Sequence, residues 1–377
     1  MDCAQLLVLL SLALLVYTWA GYPALIVFLR RLLRREVARS TIHPYVSLIL
    51  AAHNEERCIE DKLRDCLKLK YPLDRIEFLV ASDNSTDATE ALVQEFSRRD
   101  PRIRLLRTET RAGKSGAQNL AVAHARGEIL FFTDANTRMA PDALQQLVEN
   151  FADPRVGLVT ATVHFVQPKG AVPQGQGIYW RYELLIRQAE SDLGILAKAS
   201  GQALAVRRTL FRPMRTCYGD DCVLPLEVRI QGYRVIHDTH AIVTDTMPHS
   251  LDGEMRARIR MTARNWTGTM SQIAILNPFR FPATSWALFS HKVLRWLSPV
   301  FLAALFAASF FSALHFRWTG LCLLQVFFYL SAFLGWQFAR KGRKAGIFGY
   351  AFAFCLANIG FLFGLVRALR NQRIVAY

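Results

Sequence analysis

The chain has 377 residues, of which 52% are hydrophobic, yet it carries 46 Lys and Arg against 30 Asp and Glu, a combination typical of a membrane protein with basic flanks. Much of the positive charge lies beside apolar segments, without the basic and aromatic pattern of a nucleic-acid groove, so we expect membrane lipids and no nucleic acid as partners. Seven cysteines without a CxxC pair argue against a disulfide framework or a structural zinc site.

The N-terminal segment predicts a membrane anchor at residues 1–35. Residues 6–29 carry no charged side chain and are long enough for a helix to cross about 30 Å of hydrocarbon. A cleaved signal peptide is disfavoured because the apolar run is too long and no basic region precedes it. Five arginines follow directly, which by the positive-inside rule predicts a cytoplasmic location for the next domain. They are Arg30, Arg31, Arg34, Arg35 and Arg39.

The next segment alternates apolar runs of strand length with amphipathic runs of helix length. This alternation predicts an α/β domain at residues 41–270, built on a mostly parallel sheet with covering helices. The predicted strands are residues 46–52, 76–82, 103–107 and 129–133.

The C-terminal third is again apolar. Residues 278–296 mix aromatic with basic side chains, which is typical of an interfacial helix. Residues 297–370 predict about three membrane helices. Three crossings leave the last arginines outside, against the charge rule, so the last segment alternatively lies in the interface.

Polar residues follow the first two predicted strands. Asn54 and Glu55 come after the first strand and Asp83 ends the second, so we expect their side chains to meet at one edge of the sheet and hold a nucleoside. The alternative is that Asn54 and Glu55 cap a helix, and that Asp83 and Asp87 form a turn and a cap.

Two further sites point to phosphate and metal chemistry. Lys114 opens a helix after a strand, where its charge adds to backbone amides suited to phosphate; the alternative is an exposed loop lysine. Asp134 directly follows the predicted strand 129–133 and lies two residues before Asn136. The carboxylate oxygens of Asp134 suit a divalent ion that is bound to a diphosphate. The alternative for Asp134 is a turn with side-chain hydrogen bonds.

An acidic pair and a basic helix complete the candidates. Asp220 and Asp221 precede a predicted helix, and one of them suits a general base if burial or its neighbour raises its pKa; the alternative is a helix cap. Arg264 ends a row of arginines spaced by four, which favours an anion opposite, either a diphosphate or lipid headgroups. Trp266 suits stacking on an acceptor sugar or a position at the membrane interface.

These clusters, in this order between an anchor and trailing membrane helices, resemble the membrane-bound inverting glycosyltransferases of family 2, which include cellulose, hyaluronan and poly-N-acetylglucosamine synthases. The resemblance covers roughly residues 44–270 and implies a GT-A type nucleotide-diphospho-sugar transferase domain. It implies nucleotide-sugar binding by Ala52, Asn54, Glu55, Asp83, Lys114, Asp134 and Arg264, and a Mg²⁺ or Mn²⁺ ion at Asp134 and Asn136. It also implies catalysis by Asp221 as the base with Asp220, and acceptor binding by Gly201, Gln202 and Trp266.

Two positions depart from the family pattern. The D-x-D motif reads Asp134-Ala135-Asn136, so its second carboxylate is an amide. The Q-x-x-R-W signature of processive synthases lacks its Gln and has Asn265 between Arg264 and Trp266.

The leading hypothesis is an inverting transferase that moves a sugar from a UDP-sugar to a glycan or lipid-linked acceptor in cell-surface polysaccharide synthesis, processively or not. One alternative is single-sugar transfer to a polyprenyl-phosphate or other lipid. Another is a catalytically silent nucleotide-binding membrane subunit of a synthase complex. The expected location is the bacterial inner membrane with the catalytic domain in the cytoplasm, and the resemblance allows export or synthase partner subunits.

Overall fold

A computed structural model describes residues 3–166, 175–216, 218–246, 250–312 and 316–370. Its centre is one eight-stranded sheet. The strands are β1 Val46–Ala52, β2 Ile76–Ser82, β3 Ile103–Arg107, β4 Ile129–Thr133, β5 Arg138–Met139, β6 Val156–Val166, β7 Ala203–Arg207 and β8 Arg234–Thr246. Their order across the sheet is β3-β2-β1-β4-β7-β6-β8-β5. The first four strands have the bounds that the sequence predicts.

The first half of the sheet is parallel and the second half is mixed. β1 pairs in parallel with β2 and β4, and β2 with β3, and every residue of β1 and β2 is buried, as expected for parallel strands covered on both faces. β7 runs antiparallel to both β4 and β6, whereas β8 is parallel to β6. The α/β class is confirmed. The parallel half of the sheet is the part that the sequence predicts, and it carries the first polar clusters.

Thirteen α-helices are present among the described residues. Those outside the apolar spans are α3 Ile59–Leu67, α4 Thr89–Arg99, α5 Gly113–Ala123, α6 Ala143–Glu149, α7 Gly175–Asp192, α8 Asp220–Ile230 and α9 Leu251–Ser271. Alternate residues of β1 point to opposite faces, so that Leu48 packs in the cluster of α3 and α6, and Ile49 packs in the cluster of α5 and α8.

Four of the described helices are long and apolar enough to cross a membrane: Cys3–Leu33, Pro282–Phe311, Trp318–Arg340 and Phe348–Leu369. The first joins α1 Cys3–Val16 to α2 Tyr22–Leu33 through one π turn. The second joins α10 Pro282–Leu288 to α11 Leu294–Phe311 in the same way, so the segment predicted to be an interfacial helix continues into a span without a break. The others are α12 Phe316–Arg340 and α13 Phe348–Leu369. The domain bounds and the interfacial location stay predictions.

Helix α9 joins the sheet domain to the candidate membrane helices. It packs along α13, where Gly360 and Gly364 lie one turn apart on the contact face. A Cβ on Gly364 would lie 2.5 Å from Thr262 Cβ, and one on Gly360 would lie 2.9 Å from Arg258 Cβ. Small residues of this spacing let two helix backbones approach closely. The helix that carries Arg264 is therefore held against a candidate membrane span.

Candidate functional site

The loops after β1 and β2 lie together at the carboxyl edge of the sheet. Asn54 Oδ1 accepts a hydrogen bond from the Thr86 N–H at 2.9 Å, and the Asn54 N–H donates to Ser85 Oγ at 3.2 Å. The carbonyl of Ala52 accepts from the Asp83 N–H at 2.8 Å. Asn54 has a φ of 57°, a left-handed conformation that Asn tolerates better than most residues. The predicted meeting of these two loops is therefore present.

Helix capping explains part of this region. Asp87 Oδ1 accepts from the N–H and the hydroxyl of Thr89 at the start of α4, so Asp87 has the predicted capping role. The Glu55 N–H donates to Thr89 Oγ1 at 2.8 Å, and its carboxylate accepts from Cys58 Sγ at 2.9 Å. Nucleoside contacts by Asn54 and Glu55 stay predictions.

Asp83 orders the loop that begins α5. Its side chain is fully buried, and its two oxygens accept from the N–H groups of Ala112 at 2.6 Å and Gly113 at 2.9 Å. Thr108 Oγ1 donates to the same carboxylate at 3.3 Å. These bonds hold Lys114 next to the strand ends. Both oxygens of Asp83 already accept hydrogen bonds from the protein in this structure. A contact of Asp83 with a nucleoside stays a prediction.

Lys114 joins two of the predicted acidic clusters. Its Nζ lies 2.6 Å from Asp134 Oδ1 and 3.0 Å from Asp220 Oδ2. Burial alone would lower the pKa of Lys114, but the two carboxylates raise it above its ordinary value, so the ammonium stays charged. The exposed-loop alternative for Lys114 is wrong, since its side chain is only 17% exposed. Residues far apart in sequence thus form one charged centre.

The acidic pair lies at the first turn of α8. Asp220 is buried and accepts from Gln118 Nε2 at 2.7 Å as well as from Lys114. Asp221 is more open, with 26% of its side chain exposed, and its Oδ2 accepts from Lys198 Nζ at 2.9 Å. The residue before the helix, Gly219, has no side chain to cap it; Asp220 Oδ1 accepts from the first-turn N–H of Asp221 at 3.0 Å, but both carboxylates also contact lysines. The cap-only alternative therefore does not describe this pair.

The pKa of Asp221 moves opposite to our expectation. Burial raises the pKa of this carboxyl, as predicted, but Lys198 and then Arg264 and Lys114 outweigh burial and lower it below its ordinary value. The carboxylate is therefore ionised at neutral pH. An ionised carboxylate can accept a proton, so the direction is compatible with a general base.

The predicted metal residues meet a carboxylate that the sequence does not single out. Asn136 Nδ2 donates to Asp245 Oδ1 at 3.1 Å, and Gln202 Nε2 donates to Asp245 Oδ2 at 3.3 Å. Burial, together with the charge of Asp134, raises the pKa of Asp245. Across the described ranges, no group of three or more His, Cys, Asp or Glu side chains has the arrangement of a metal site. The sequence signal that points to Asp245 is an acidic residue near the end of a strand, as Asp134 is near the end of β4.

Two of the predicted acceptor-side residues lie beside the charged centre. A Cβ on Gly201 would lie 3.4 Å from Asp220 Oδ1 and 3.5 Å from the Cβ of Asp221, so a side chain here would approach the acidic pair closely. Gln202 contacts Asp245, and its carbonyl accepts from Thr133 Oγ1 at 2.9 Å. Acceptor binding by these residues stays a prediction.

The side chains of Arg264 and Trp266 contact different parts of the structure. Arg264 donates to the carbonyl of Tyr218, next to the acidic pair. Trp266 packs against Trp296 of α11 at a centroid distance of 6.0 Å, in the cluster formed by the candidate membrane helices. Of the two interpretations of Trp266, the contact with the membrane helices is the one seen here, and an acceptor contact stays a prediction.

Two buried lysines escaped the sequence analysis. Lys198 contacts Asp221 and also donates to Asn265 Oδ1 at 2.6 Å. Lys62 is fully buried and donates to Thr133 Oγ1 at 2.9 Å and to the Thr137 carbonyl at 2.7 Å, which supports the loop that carries Asp134. A single lysine in an amphipathic or apolar run gives no local sign of its distant partner.

Comparison with curated proteins identifies glycosyltransferases. The chain is 31% identical over 168 residues to a beta-monoglucosyldiacylglycerol synthase of Nostoc sp., covering 44% of this chain and 36% of that protein. It is 36% identical over 122 residues to the synthase of that name from Synechocystis sp., covering 32% and 26%. It is 25% identical over 221 residues to a poly-beta-1,6-N-acetyl-D-glucosamine synthase of Staphylococcus aureus, covering 57% and 53%. The matches span from about a quarter to about half of these relatives' lengths.

A solved structure has the same fold over nearly the whole chain. It is a mannosyltransferase from Pyrobaculum calidifontis in complex with GDP-Man and Mn²⁺, with a TM-score of 0.74 and 23% identity, covering 97% of this chain and 99% of that one. Residues 47–213 match the family described as Glycosyl transferase family 2. This segment contains Lys114 and nearly all of β1 to β4, while the acidic pair at positions 220 and 221 lies beyond its end. Residues 47–213 of this chain thus form a glycosyltransferase family 2 domain, as the resemblance implied.

Proposed function

We propose that this protein is an inverting glycosyltransferase that moves a sugar from a nucleotide-diphosphate sugar to an acceptor hydroxyl at a membrane surface. The observation that carries the proposal is the charged centre in which Lys114 contacts both Asp134 and Asp220, with Asp221 beside it. A silent scaffold has no physical need for one lysine that pairs with two carboxylates, one of them buried, at the carboxyl edge of a sheet.

The acidic pair supplies the proton chemistry. An acceptor hydroxyl is a weak nucleophile at neutral pH, so the ionised Asp221 carboxylate takes its proton as the oxygen attacks the anomeric carbon. The bond from that carbon to the diphosphate oxygen breaks in the same step, which inverts the anomeric centre. Asp220 is buried and paired, so its part is to hold Lys114 in place.

Positive side chains serve the leaving group. Lys114 is charged and stands in the first turn of α5, where the helix dipole also favours an anion. Arg264 is a further cation close to the acidic pair, and its Nε has no hydrogen-bond partner among the described residues. Fixed cations beside a departing diphosphate stabilise the charge that develops on it.

The residues present fit a divalent cation. Asp134 and Asp245 place two carboxylates close enough for the charge of one to raise the pKa of the other, and a cation between them would remove that repulsion. We infer that Asp134 and Asp245 would hold Mg²⁺ or Mn²⁺, with Asn136 orienting Asp245 through its amide. When bound, the ion would neutralise diphosphate oxygens. The Mn²⁺ complex of the mannosyltransferase supports this inference.

The donor and the acceptor are proposed from the resemblance and from the relatives. Our first choice of donor is a UDP-sugar, and the GDP-Man complex of the mannosyltransferase makes GDP-mannose the second. The relatives include a glycolipid synthase and a polysaccharide synthase, so both a lipid and a glycan are candidate acceptors. The docking of α9 on α13 places the acidic pair near a candidate span, which favours single transfer to a lipid-linked acceptor. We further propose a bacterial inner-membrane location with the domain in the cytoplasm.

The test is nucleotide release by the detergent-purified full chain with Mn²⁺ or Mg²⁺. A panel of UDP-sugars and GDP-mannose is offered with bacterial lipid extract or with glycan primers. We expect turnover of one donor and a loss of about 100-fold or more in Asp221→Asn, which still binds the free nucleotide. The exposed-site variant Lys68→Met is the matched control and should retain full activity. Absence of turnover with every donor and acceptor would favour the silent-subunit hypothesis.

A further inference from the structure

Lys198 is a buried cation in direct contact with the acid to which we assign the base role. Its side chain lies in the segment before β7, and its Nζ donates to Asp221 Oδ2 at 2.9 Å. The same Nζ donates to Asn265 Oδ1 at 2.6 Å, so two of its three N–H groups have fixed partners. Only 9% of the Lys198 side chain is exposed.

The partner of Lys198 on α9 is the residue that departs from the family signature. Asn265 stands between Arg264 and Trp266, where the processive synthases have no residue. It is buried, and its carbonyl also accepts from Cys222 Sγ at 3.5 Å. An uncharged amide oxygen orients an ammonium group without competing for its charge, which leaves that charge for Asp221.

The surroundings explain why the charge of Lys198 matters. It lines a small cavity together with Glu190, His291 and Lys292, on the side facing α7 and the helix that begins at Pro282. Asp221 is the only carboxylate among the described residues that forms an ion pair with Lys198. A buried ammonium is costly unless it is paired. Loss of either partner would therefore leave the other charge uncompensated.

We propose that Lys198 is a positioning residue for transfer, which fixes the orientation of the Asp221 carboxylate and keeps it ionised, and that Asn265 holds Lys198 in place. This inference rests on the proposed function. The other charged or titratable groups facing Asp221 are Arg264, Lys114, Asp220 and Cys222. Of these groups and Lys198, it is Lys198 that lowers the pKa of Asp221 most, because it alone donates a hydrogen bond directly to the Asp221 side chain.

The experiment compares pH profiles of kcat/KM for the wild type, Lys198→Met, Lys198→Arg and Asn265→Ala in the full chain. Removing the cation raises the pKa of Asp221, so the acid limb of the Lys198→Met profile should move to higher pH. We expect a loss of about 100-fold at pH 6 that shrinks as the pH rises to 9. Lys198→Arg should restore the wild-type acid limb, and Asn265→Ala should move it in the same direction as Lys198→Met by a smaller amount.

The outcomes separate this inference from the proposed function. A wild type that turns over no donor refutes both. An active wild type with a Lys198→Met profile lowered equally at every pH refutes this inference and leaves the proposed function standing, because loss of the cation that keeps Asp221 ionised must move the acid limb. If Lys198→Met does not fold, an Asn265→Ala profile with an unmoved acid limb refutes it equally. Affinity for free UDP or GDP should be unchanged in each folded variant.

Discussion

Replacing Lys114 with Met tests the charged centre on which the proposed function depends. The substitution keeps an unbranched apolar side chain of nearly the same length and removes the ammonium that contacts Asp134 and Asp220. Asp220 is then left as a buried carboxylate whose remaining donors are the Gln118 amide and the Asp221 N–H. Both stability and nucleotide binding should fall.

The magnitude follows from the geometry. At 3.0 Å the attraction between Lys114 and Asp220 is about 5 kcal/mol at an effective dielectric constant of about 20, before the cost of desolvation is subtracted. Breaking a buried pair by removing one partner typically costs about 3–5 kcal/mol. The two donors that stay on Asp220 favour the lower end, about 3 kcal/mol. Asp134 is 31% exposed, so water compensates for most of its loss.

Thermal unfolding in detergent and calorimetric titration with UDP and GDP measure the two effects. A loss of about 3 kcal/mol corresponds to a Tm lower by about 6–12 °C for a domain of this size. Adding Asp220→Asn to Lys114→Met should recover about half of that loss, because the unpaired buried charge is removed. Affinity for UDP and GDP should fall by the same factor, since Lys114 is assigned to the diphosphate, which both nucleotides share, and not to the nucleobase.

Lys68→Met, at an exposed position of α3's end, is the control and should leave Tm and binding unchanged. Two results would contradict the reasoning. If Lys114→Met unfolds at the wild-type temperature, its pairing with Asp220 is not a stabilising contact. If it weakens binding of one nucleotide and not the other, Lys114 does not act on the diphosphate.

Three further predictions follow from single contacts. Gly364→Ala should lower Tm relative to the control Gly320→Ala, because its Cβ would lie 2.5 Å from Thr262 Cβ whereas Gly320 has open space; equal Tm values would refute the close packing of α9 on α13. Asp245→Asn should weaken Mn²⁺ binding measured by calorimetry, and wild-type affinity should fall as pH falls, since the raised pKa of Asp245 lets protons compete with the ion; a pH-independent affinity would exclude it as a ligand. Arg155 holds the pKa of Asp153 well below its usual range, so its stabilisation is present above the unfolded pKa of about 4 and is lost as pH falls; the Tm gap between wild type and Asp153→Asn should close in acid.

The parts of the fold that sequence reasoning predicts are those with a local cause. The runs that form β1, β2 and β4 are mostly apolar segments bounded by breakers, and the structure keeps their bounds because burial on both faces needs that pattern. The edge strand β3 carries two arginines and is only partly buried. The start of α5 at Gly113, next to Lys114, shows that helix ends are set by contacts, here the two N–H bonds to Asp83.

The antiparallel half of the sheet lies beyond local reasoning. The run Ala203–Arg207 is short and apolar, and nothing within it says that it pairs with β4 in the opposite direction. That pairing sets Gly201 and Gln202 beside the ends of β4 and β8. The direction of a strand depends on the path of the chain before it, which sequence periodicity does not encode.

By itself, the sequence determined the long apolar N-terminal helix, the strands of the parallel half and the acids at the strand ends, because hydropathy and strand length act over neighbouring residues. Only the tertiary structure decided the partners of those acids. Lys114 bridges Asp134 and Asp220, Asp245 joins Asn136, and Lys198 with Asn265 holds Asp221. The pKa of Asp221 depends on distances of about 3 Å between segments far apart in the chain, and the packing of the sheet against α8 and α9 sets those distances.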